Sequence, residues 1–246
     1  YNINRYSNPN VTWEVAEKTN YGIELELFGE LMIQLDYFTE NRNKIYESRP
    51  VFPDTAGLTT VVSSNTGKVK SNGFDVAIDF NKSFSNDFFI TGRGTLTYAT
   101  NEVVVRNEPQ YQYEYLSAIG YHTNQQRGYI AERLFIDQED IENSPEQFNG
   151  LSGAQNAYMP GDIKYRDVNN DGQINELDRV PIGNPDVPEI IYGFGASMNF
   201  KSFDFSFFFQ GAAKSSFFIK PDKIAPFINE RNALRIVTEN NWTENN

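Results

Sequence analysis

The sequence predicts an all-β protein built from long antiparallel strands, each with one apolar and one polar face. Aromatic residues make up 15% of the 246 residues, with 20 Phe and 14 Tyr against 3 Met. Apolar and polar residues alternate over long stretches, and short turns alternate with long polar segments. Aromatic side chains favour pleated strands, and a period of two indicates a strand that is solvated on one face only.

The strand pattern occurs in six segments. In the first, Ile23, Leu25 and Leu27 alternate with Glu24 and Glu26. The polar faces of these strands carry five carboxylates that we expect to face water: Glu24, Glu26, Asp36, Asp75 and Asp79. The six predicted strands cover residues 21–28, 31–37, 74–80, 88–98, 192–200 and 203–209, and further strands are expected at 11–18 and in the C-terminal tail.

The connections between these strands are of two kinds. Short turns are predicted at 29–30, 81–86 and 201–202, and long polar segments at 47–67, 107–189 and from 215 onward. Tight turns at one end and long loops at the other are typical of an outer-membrane β-barrel. A soluble sandwich would have more evenly spaced turns.

Two interpretations of the alternation remain open at this point. Half of an ordinary soluble sheet gives the same period. A lipid-facing wall is favoured by the quantity of Phe and Tyr on the apolar faces, including Tyr37, Phe38, Tyr192 and Phe200 near strand ends, where aromatic girdles lie. Six to eight strands close only a narrow, filled barrel, so long loops and charged inner faces indicate a segment of a larger one.

Composition excludes several classes of function. The net charge of −12 argues against nucleic-acid binding, which requires a basic face. The absence of Cys excludes disulfides, thiolate metal sites and cysteine nucleophiles. The single His122 and isolated acidic pairs such as Glu139-Asp140 do not make a catalytic pocket, so no enzyme is predicted. The N-terminus resembles no signal peptide, and we expect any export signal to have been removed or to lie elsewhere.

Residues Asp167–Asp178 have the spacing of a calcium-binding loop, and this segment is called the calcium-type loop below. Gly172 at position 6 allows the sharp turn, and Ile174 at position 8 is expected to be an inward apolar anchor. Because Pro160 and Pro181 flank it in place of long helices, a structural Ca²⁺ ion is predicted and not a regulatory one. The metal ligands would be Asp167, Asn169, Asp171, the carbonyl of Gln173, and Asp178.

A group of tyrosines marks the long segment 107–189. Aromatic rings next to amides can stack on sugars or bind peptide backbone, and they can equally pack a loop against a neighbouring protein. His122 is interpreted as a hydrogen-bonding loop residue and not as a ligand or base. The tyrosines proposed to contact substrate or a lid protein are Tyr111, Tyr113, Tyr115 and Tyr121.

Several motifs resemble SusC/RagA-type TonB-dependent transporters, which are outer-membrane proteins of Bacteroidetes. The specific part is the block Met159–Pro185, which includes Pro160-Gly161-Asp162 and the calcium-type loop. The matches to strand segments are more generic. They comprise Asn8–Glu14, Lys18–Gly22, Tyr192–Phe194 and Phe203–Gly211.

The resemblance implies a late, C-terminal part of a barrel of about 22 strands with long extracellular loops, one of them at 107–189. It implies active import of oligosaccharides or peptides, with a SusD-like surface lipoprotein as lid and energy from the TonB complex. Transporter–lipoprotein units of this family pair as dimers. The plug, the TonB box and the closing strands are not expected within residues 1–246. The alternative is a secreted or surface β-domain that binds glycans and carries a dockerin-like calcium loop.

Overall fold

In the computed structural model, which describes residues 8–49, 62–148, 158–227 and 232–239, a six-stranded antiparallel sheet dominates. The all-β prediction is confirmed, and the sheet is not closed into a barrel. Its strands follow in the order β1-β2-β3-β4-β11-β12. They are β1 (Val15–Leu27), β2 (Leu31–Arg49), β3 (Val62–Ser85), β4 (Phe88–Val105), β11 (Ile190–Phe200) and β12 (Phe203–Ala213).

The register of the sheet puts the predicted apolar positions side by side. Ile23 lies opposite Leu35, which lies opposite Val76. The same row continues through Leu96 to Tyr192. Since partners in register point to the same face, the apolar residues of all six strands share one face.

Two predicted connections have wrong boundaries, and the further strands expected at 11–18 and in the C-terminal tail are wrong as well, since residues 15–18 belong to β1 and the described part of the tail forms two short helices. The turn predicted at 81–86 is shorter, because β3 continues to Ser85 and its polar end pairs with β4 up to Phe88. The polar segment predicted at 47–67 begins and ends as strand, with residues 50–61 outside the described chain. In both places the backbone ladder to the neighbouring strand holds polar residues in extended conformation, whatever their side chains prefer.

Between β4 and β11 the chain folds into short elements. By spatial clustering, residues Gln126–Gly183 and Phe217–Asn246 form a second unit, called the loop unit, apart from the unit that contains the sheet. Its described elements include three two-stranded ladders, β10 with β5, β6 with β8, and β7 with β9. They are β5 (Arg127–Gly128), β6 (Ala131–Leu134), α1 (Gln138–Glu142), β7 (Glu146–Gln147), β8 (Ile163–Tyr165), β9 (Gln173–Ile174), β10 (Val180–Pro181), α2 (Pro221–Ile224) and α3 (Arg235–Glu239).

Buried apolar side chains are scarce in the described part of the chain: Val103, Phe135 and Ile174. Phe135 and Ile174 belong to the loop unit, and Val103 lies at the end of β4. The large sheet therefore has no apolar core on either face within the described residues. No helix of the described residues is long and apolar enough to cross a membrane.

Candidate functional site: the strand faces and the calcium-type loop

The apolar face of the sheet is exposed along its length. The exposed fractions of Ile23, Leu35 and Phe207 are 58%, 40% and 42%. No second layer of the described chain covers this face. Soluble monomers rarely expose apolar patches larger than a few hundred Å², so a face of this extent requires an apolar environment outside the chain.

Aromatic side chains mark two ends of the apolar face. At one end Phe74 and Tyr98 lie 5.6 Å apart, and at the other Phe84 lies 5.1 Å from Phe88, which lies 5.9 Å from Phe200. The ten residue-to-residue steps from Phe74 to Phe84 measure about 33 Å along the strand, or about 23 Å in height at a tilt of about 45°. Membrane β-barrels have an apolar band about 25 Å tall between two aromatic girdles.

The opposite face of the sheet is polar, as the alternation predicts. Asp36 and Asp75 lie directly opposite each other. The carboxylate of Asp36 accepts hydrogen bonds from Asn20 Nδ2 at 3.1 Å and Gln34 Nε2 at 3.3 Å, and Thr97 Oγ1 donates to Asp75 at 2.6 Å. Like charges in direct opposition are unfavourable in a sheet, so these carboxylates belong on a solvated face.

The loop unit has a small core of its own. Phe135 and Ile174 are fully buried, which confirms the predicted anchor at position 8 of the calcium-type loop. Phe148, whose N–H donates to the Ile174 carbonyl, belongs to a group of three rings that pack edge to face: Tyr129 lies 4.9 Å from Phe148 and 5.7 Å from Tyr165. The segment predicted as one long loop is thus folded around buried side chains.

An ion-pair cluster fastens helix α1 to the β6–β8 ladder. Arg133 on β6 donates to both carboxylate oxygens of Asp140, and Lys164 Nζ on β8 lies 3.2 Å from Asp140 Oδ1. The backbone N–H of Ile136 donates to the same carboxylate at 3.2 Å. The Arg133 guanidinium, ahead of the other donors, holds the pKa of Asp140 well below its usual range. The carboxylate therefore stays charged at neutral pH.

The first half of the calcium-type loop is organised by its own side-chain oxygens. Asp167 Oδ2 accepts the Gly172 N–H at 2.7 Å, Asn169 Oδ1 accepts the Asp171 N–H at 3.0 Å, and Asp171 Oδ1 accepts the Gln173 N–H at 2.9 Å. Gly172 has a φ of 85°, in the left-handed region where glycine is favoured. These bonds curl the chain so that three oxygen-bearing side chains belong to one tight loop.

The ladder of β7 with β9 determines where the Gln173 carbonyl points. The carbonyls of Gly172 and Ile174 accept the N–H groups of Glu146 and Phe148 at 3.0 and 2.8 Å. Successive carbonyls of an extended chain point to opposite sides, so the Gln173 carbonyl points away from β7. The Gln173 N–H donates to Asp171 Oδ1 within the calcium-type loop. In an extended residue the N–H and the carbonyl point to the same side, so the Gln173 carbonyl also faces the loop.

The last predicted ligand, Asp178, is a fully buried carboxylate. Its Oδ1 accepts the Val168 N–H and its Oδ2 accepts the Asn175 N–H, both at 2.8 Å. Buried charges in proteins are normally paired or coordinate a metal. Each carboxylate oxygen keeps a further lone pair after accepting one hydrogen bond.

The loop fits a hard cation in the kind and order of its donors. The oxygens of Asp167, Asn169, Asp171, Gln173 and Asp178 are the ligand type that Ca²⁺ takes. In the described residues, however, no three acidic or histidine side chains already converge on one point. The fit is therefore one of donor chemistry and sequence order, and not of a preformed cage.

The tyrosine-rich segment is ordered next to the end of β4. Tyr113 and Tyr115 stack with ring centroids 5.4 Å apart, and Tyr111 is 40% exposed. The carbonyl of Tyr121 accepts the N–H of Val103 at 2.8 Å, which docks this part of the segment on the strand. An exposed, stacked pair of this kind offers aromatic faces both to a ligand and to a neighbouring protein.

His122 is a hydrogen-bonding residue in the described fold. Its Nδ1 accepts the Asn124 N–H at 3.0 Å, and its Nε2 lies 2.7 Å from Asn101 Nδ2. The amide of Asn101 is oriented by Thr123, whose N–H donates to Oδ1 at 2.9 Å. Burial, which outweighs the nearby charges of Glu189 and Asp186, lowers the pKa of His122 below its ordinary value.

Sequence comparison matches the chain to part of larger receptors. No protein-family model matches. TonB-dependent receptors P26 and P3 of Formosa agariphila are each 25% identical to it, over 219 and 218 residues that cover 85% and 84% of this chain. TonB-dependent receptor P39 of the same organism is 26% identical over 233 residues. The chain spans 21% of P26 and 22% of P39, about a fifth of their length.

Solved structures of RagAB share the fold of this chain. The RagAB peptide transporter matches with a TM-score of 0.66 over 100% of this chain and 26% of its own, at 17% identity. The "open-open" state of the RagAB peptide importer matches with a TM-score of 0.61 over 87% of this chain and 22% of its own, at 15% identity. The resemblance to SusC/RagA-type TonB-dependent receptors is confirmed. The names of these relatives describe receptors and importers, not enzymes.

Sequence reasoning missed two side-chain clusters, that of Arg133, Asp140 and Lys164 described above and a second one around Glu189. Glu189, just before β11, accepts a hydrogen bond from Thr100 Oγ1 and lies 3.4 Å from Lys214 Nζ. Lys214 in turn lies over the Tyr98 ring, with Nζ 5.0 Å from its centroid. These contacts tie β4, β11 and the end of β12 together where the long connection returns to the sheet. Residues so distant in sequence carry no pattern that would link them.

Proposed function

We propose that this chain is a wall segment of an outer-membrane receptor that imports oligosaccharides or peptides with energy from the TonB complex. The observation that carries the proposal is the exposed apolar face, about 23 Å tall between aromatic ends, backed by a polar face. The similarity to TonB-dependent receptors and the fold shared with the RagAB peptide importer support it. In this arrangement the apolar face contacts lipid and the polar face lines the lumen.

The mechanism follows from the two faces. The inner strands β2, β3, β4 and β11 are paired on both sides, and further strands of the barrel would pair the open edges of β1 and β12, which would give the fully hydrogen-bonded backbone that hydrocarbon requires. The carboxylates and hydroxyls of the polar face keep the lumen hydrated for polar cargo. The wall carries out no bond chemistry, so its part in import is to shape and solvate the path.

We also propose a SusD-like surface lipoprotein as the lid, and assembly as a dimer of transporter–lipoprotein units. The tyrosines Tyr111, Tyr113, Tyr115 and Tyr121 are proposed to contact this lid or the cargo. Support comes from the fold shared with RagAB and from the stacked pair Tyr113 and Tyr115. Co-expression of the intact receptor with a SusD-like lipoprotein of its organism, followed by mass measurement of the purified complex, tests both the lid and the dimer.

Import is tested with the intact receptor in cells that lack other such importers. We expect the receptor in the outer-membrane fraction, and uptake of labelled hexasaccharides or hexapeptides that stops when TonB is deleted. A receptor in the soluble fraction, or uptake that is indifferent to TonB, would contradict the proposal. A soluble glycan-binding domain, the alternative function, would give the first of these results.

We further propose that the calcium-type loop binds one structural Ca²⁺ ion. The ligands would be Asp167, Asn169, Asp171, the Gln173 carbonyl and Asp178. A bound ion would neutralise the buried carboxylate of Asp178 and join the loop to the core at Ile174. Support comes from the order of the donors, the curled first half of the loop and the burial of Asp178.

The calcium proposal is tested by calorimetric titration of the intact receptor with CaCl₂ after chelation. Asp171→Ala should remove one binding event, and Asp186→Asn, a carboxylate outside the ligand set, should not. Limited proteolysis of the loop unit should accelerate in EGTA for the wild type but not for Asp171→Ala. Identical titrations of Asp171→Ala and wild type would show that this loop binds no calcium.

A further inference from the structure

The aromatic row at the short-turn end of the apolar face has an ammonium group at each of its two ends. The row consists of Phe84, Phe88 and Phe200, and the ring centroids of neighbours lie 5.1 and 5.9 Å apart. Lys82 Nζ lies 5.4 Å from the centroid of Phe84, and Lys201 Nζ lies 5.5 Å from that of Phe200. A ring attracts a cation over its face at such distances, so both ammonium groups are held on the side of the sheet that carries the rings.

The rest of a barrel would leave this side of the sheet uncovered. The strands that carry the three rings, β3, β4 and β11, are paired on both sides, so further strands would be added beyond β1 and β12. The plug that the family resemblance implies would lie in the lumen, against the polar face. Under the proposed import function the aromatic row therefore meets lipid, at the level of the head groups, where aromatic girdles lie.

The two lysines differ in their charge partners. Lys82 Nζ lies 2.8 Å from Glu30 Oε2, so its charge is already met. Lys201 is exposed on the turn between β11 and β12, and its N–H donates to the Asp87 carbonyl at 2.8 Å, which joins this turn to the one between β3 and β4. Asp87 is also exposed, and within the described residues neither its carboxylate nor the Lys201 ammonium forms an ion pair. Two joined turns thus present one cation and one anion that do not neutralise each other.

We propose that Lys201 and Asp87 bind the head group of one aminophospholipid, with its phosphate on the Lys201 ammonium and its amine on the Asp87 carboxylate. The proposal rests on the proposed import function, which places the aromatic row at the membrane surface. A phosphoethanolamine head group carries a negative and a positive charge side by side, so it can satisfy both side chains at once. The acyl chains would lie along the aromatic row toward Ile90 and Met198, the next positions on the apolar face.

Other phospholipid head groups fit this pair of side chains less well. A phosphoglycerol group offers no cation to Asp87, and the trimethylated amine of phosphocholine has no N–H to donate to it. The other two charges at this end of the apolar face, Lys82 and Glu30, cancel each other, so no surplus of positive charge favours an anionic lipid.

The test compares Lys201→Gln with Lys82→Gln in the intact receptor. Both variants remove an ammonium group that lies over a ring of the same row, but only Lys82 is already paired with a carboxylate. Purified, delipidated receptor in detergent is mixed with the dioleoyl forms of phosphatidylethanolamine, phosphatidylglycerol or phosphatidylcholine, and bound lipid is counted by native mass spectrometry. The wild type and Lys82→Gln should hold one phosphatidylethanolamine molecule about tenfold more tightly than either other lipid, and Lys201→Gln should lose this preference.

A second variant tests the carboxylate. Asp87→Asn keeps the phosphate contact and removes the anion, so it should bind phosphatidylethanolamine and phosphatidylcholine with equal affinity. The shift in SDS-gel mobility on heating that a folded barrel shows verifies the assembly of each variant.

Four results would overturn the head-group site. They are equal binding of phosphatidylethanolamine to Lys201→Gln and wild type, tighter binding of phosphatidylglycerol to the wild type, an unchanged preference in Asp87→Asn, and a change in the oligomer mass of Lys201→Gln. The last would show that this surface contacts a second copy of the receptor and not lipid.

Uptake measurements keep the head-group site and the import function apart. If uptake depends on TonB but Lys201→Gln binds phosphatidylethanolamine as the wild type does, the site fails and import stands. If phosphatidylethanolamine binding depends on Lys201 but uptake is indifferent to TonB, the import function fails and the site stands.

Discussion

The large sheet and the loop unit differ in how far they bury their apolar side chains. The sheet exposes its apolar face, with Ile23 58% and Phe205 61% accessible, whereas Phe135 and Ile174 of the loop unit are fully buried. The sheet thus lacks apolar packing of its own on that face, which lipid would supply in the proposed function, whereas the loop unit depends on its own packing. Substitutions in one region should leave the other intact, and this is the property the following predictions test.

The largest effect is expected from Phe135→Ala in the loop unit. Removing a fully buried ring should cost about 3–5 kcal/mol, because the small core has few other side chains to fill the cavity. Limited proteolysis and mass spectrometry of the intact receptor should show faster cleavage within Gln126–Gly183. The shift in SDS-gel mobility on heating, which indicates a folded barrel, should still be observed. Loss of this shift would contradict the independence of the two regions.

The reverse experiment places a charge in the apolar band that is proposed to face lipid. Ile78→Arg should cost about 2–4 kcal/mol near the bilayer midplane, measured by folding titration in lipid vesicles. The matched control is Ala77→Arg, the same substitution one residue earlier and therefore on the polar face. Equal costs for the two variants would show that the faces are not distinguished by lipid.

The smallest expected effect is a pH dependence of the local stability around His122, which lies outside the proposed membrane band. A folded pKa below the ordinary 6.5 means that the unfolded segment binds more protons between the two values. Stability from this residue is thus full above about pH 6.5 and falls as the pH drops toward the lowered pKa. Protonation would also put a donor on Nδ1, opposite the donating N–H of Asn124.

Hydrogen exchange of the backbone around His122 at about pH 7.5 and about pH 5.5, corrected for intrinsic rates, measures this effect. Protection should be lost at the lower pH in the wild type, while His122→Gln should show the same protection at both. Equal protection of the wild type at both pH values would contradict the assignment.

The faces of the strands could be predicted from sequence, because a strict period of two has a single geometric meaning. Even Phe208 follows it, since its place between Phe207 and Phe209 puts it on the opposite face. The strand ends could not, because polar residues such as Lys82 and Ser83 are held extended by pairing with β4. Because the paired strand can lie tens of residues away in sequence, the local sequence does not show where the pairing ends.

The residue types of the candidate site could be predicted from the sequence, but their arrangement in space could not. The spacing of the calcium-type loop predicted five oxygen donors for a cation, which stays a prediction, and the anchor Ile174, whose burial is confirmed. It did not indicate that β7 pairs with β9 in parallel, or that Asp178 is fully buried between two N–H groups. Elements of two residues, such as β5 and β10, carry no periodicity, so the folding of this segment was missed.

The pairing of β2 with β3 continues past the aromatic end of the apolar band. Residues 62–73 of β3 lie beyond Phe74, about 40 Å of further strand, and their outward positions are polar. With the apolar band in the bilayer, residues 62–73 and the strand β2 paired with them would extend into the water outside the membrane. An insertion of one residue here would exchange inside for outside along the strand unless a bulge absorbed it, and this part already contains such a bulge, where Arg42 and Ile45 of β2 lie opposite Val69 and Gly67 of β3. A change in length can therefore be confined to one strand.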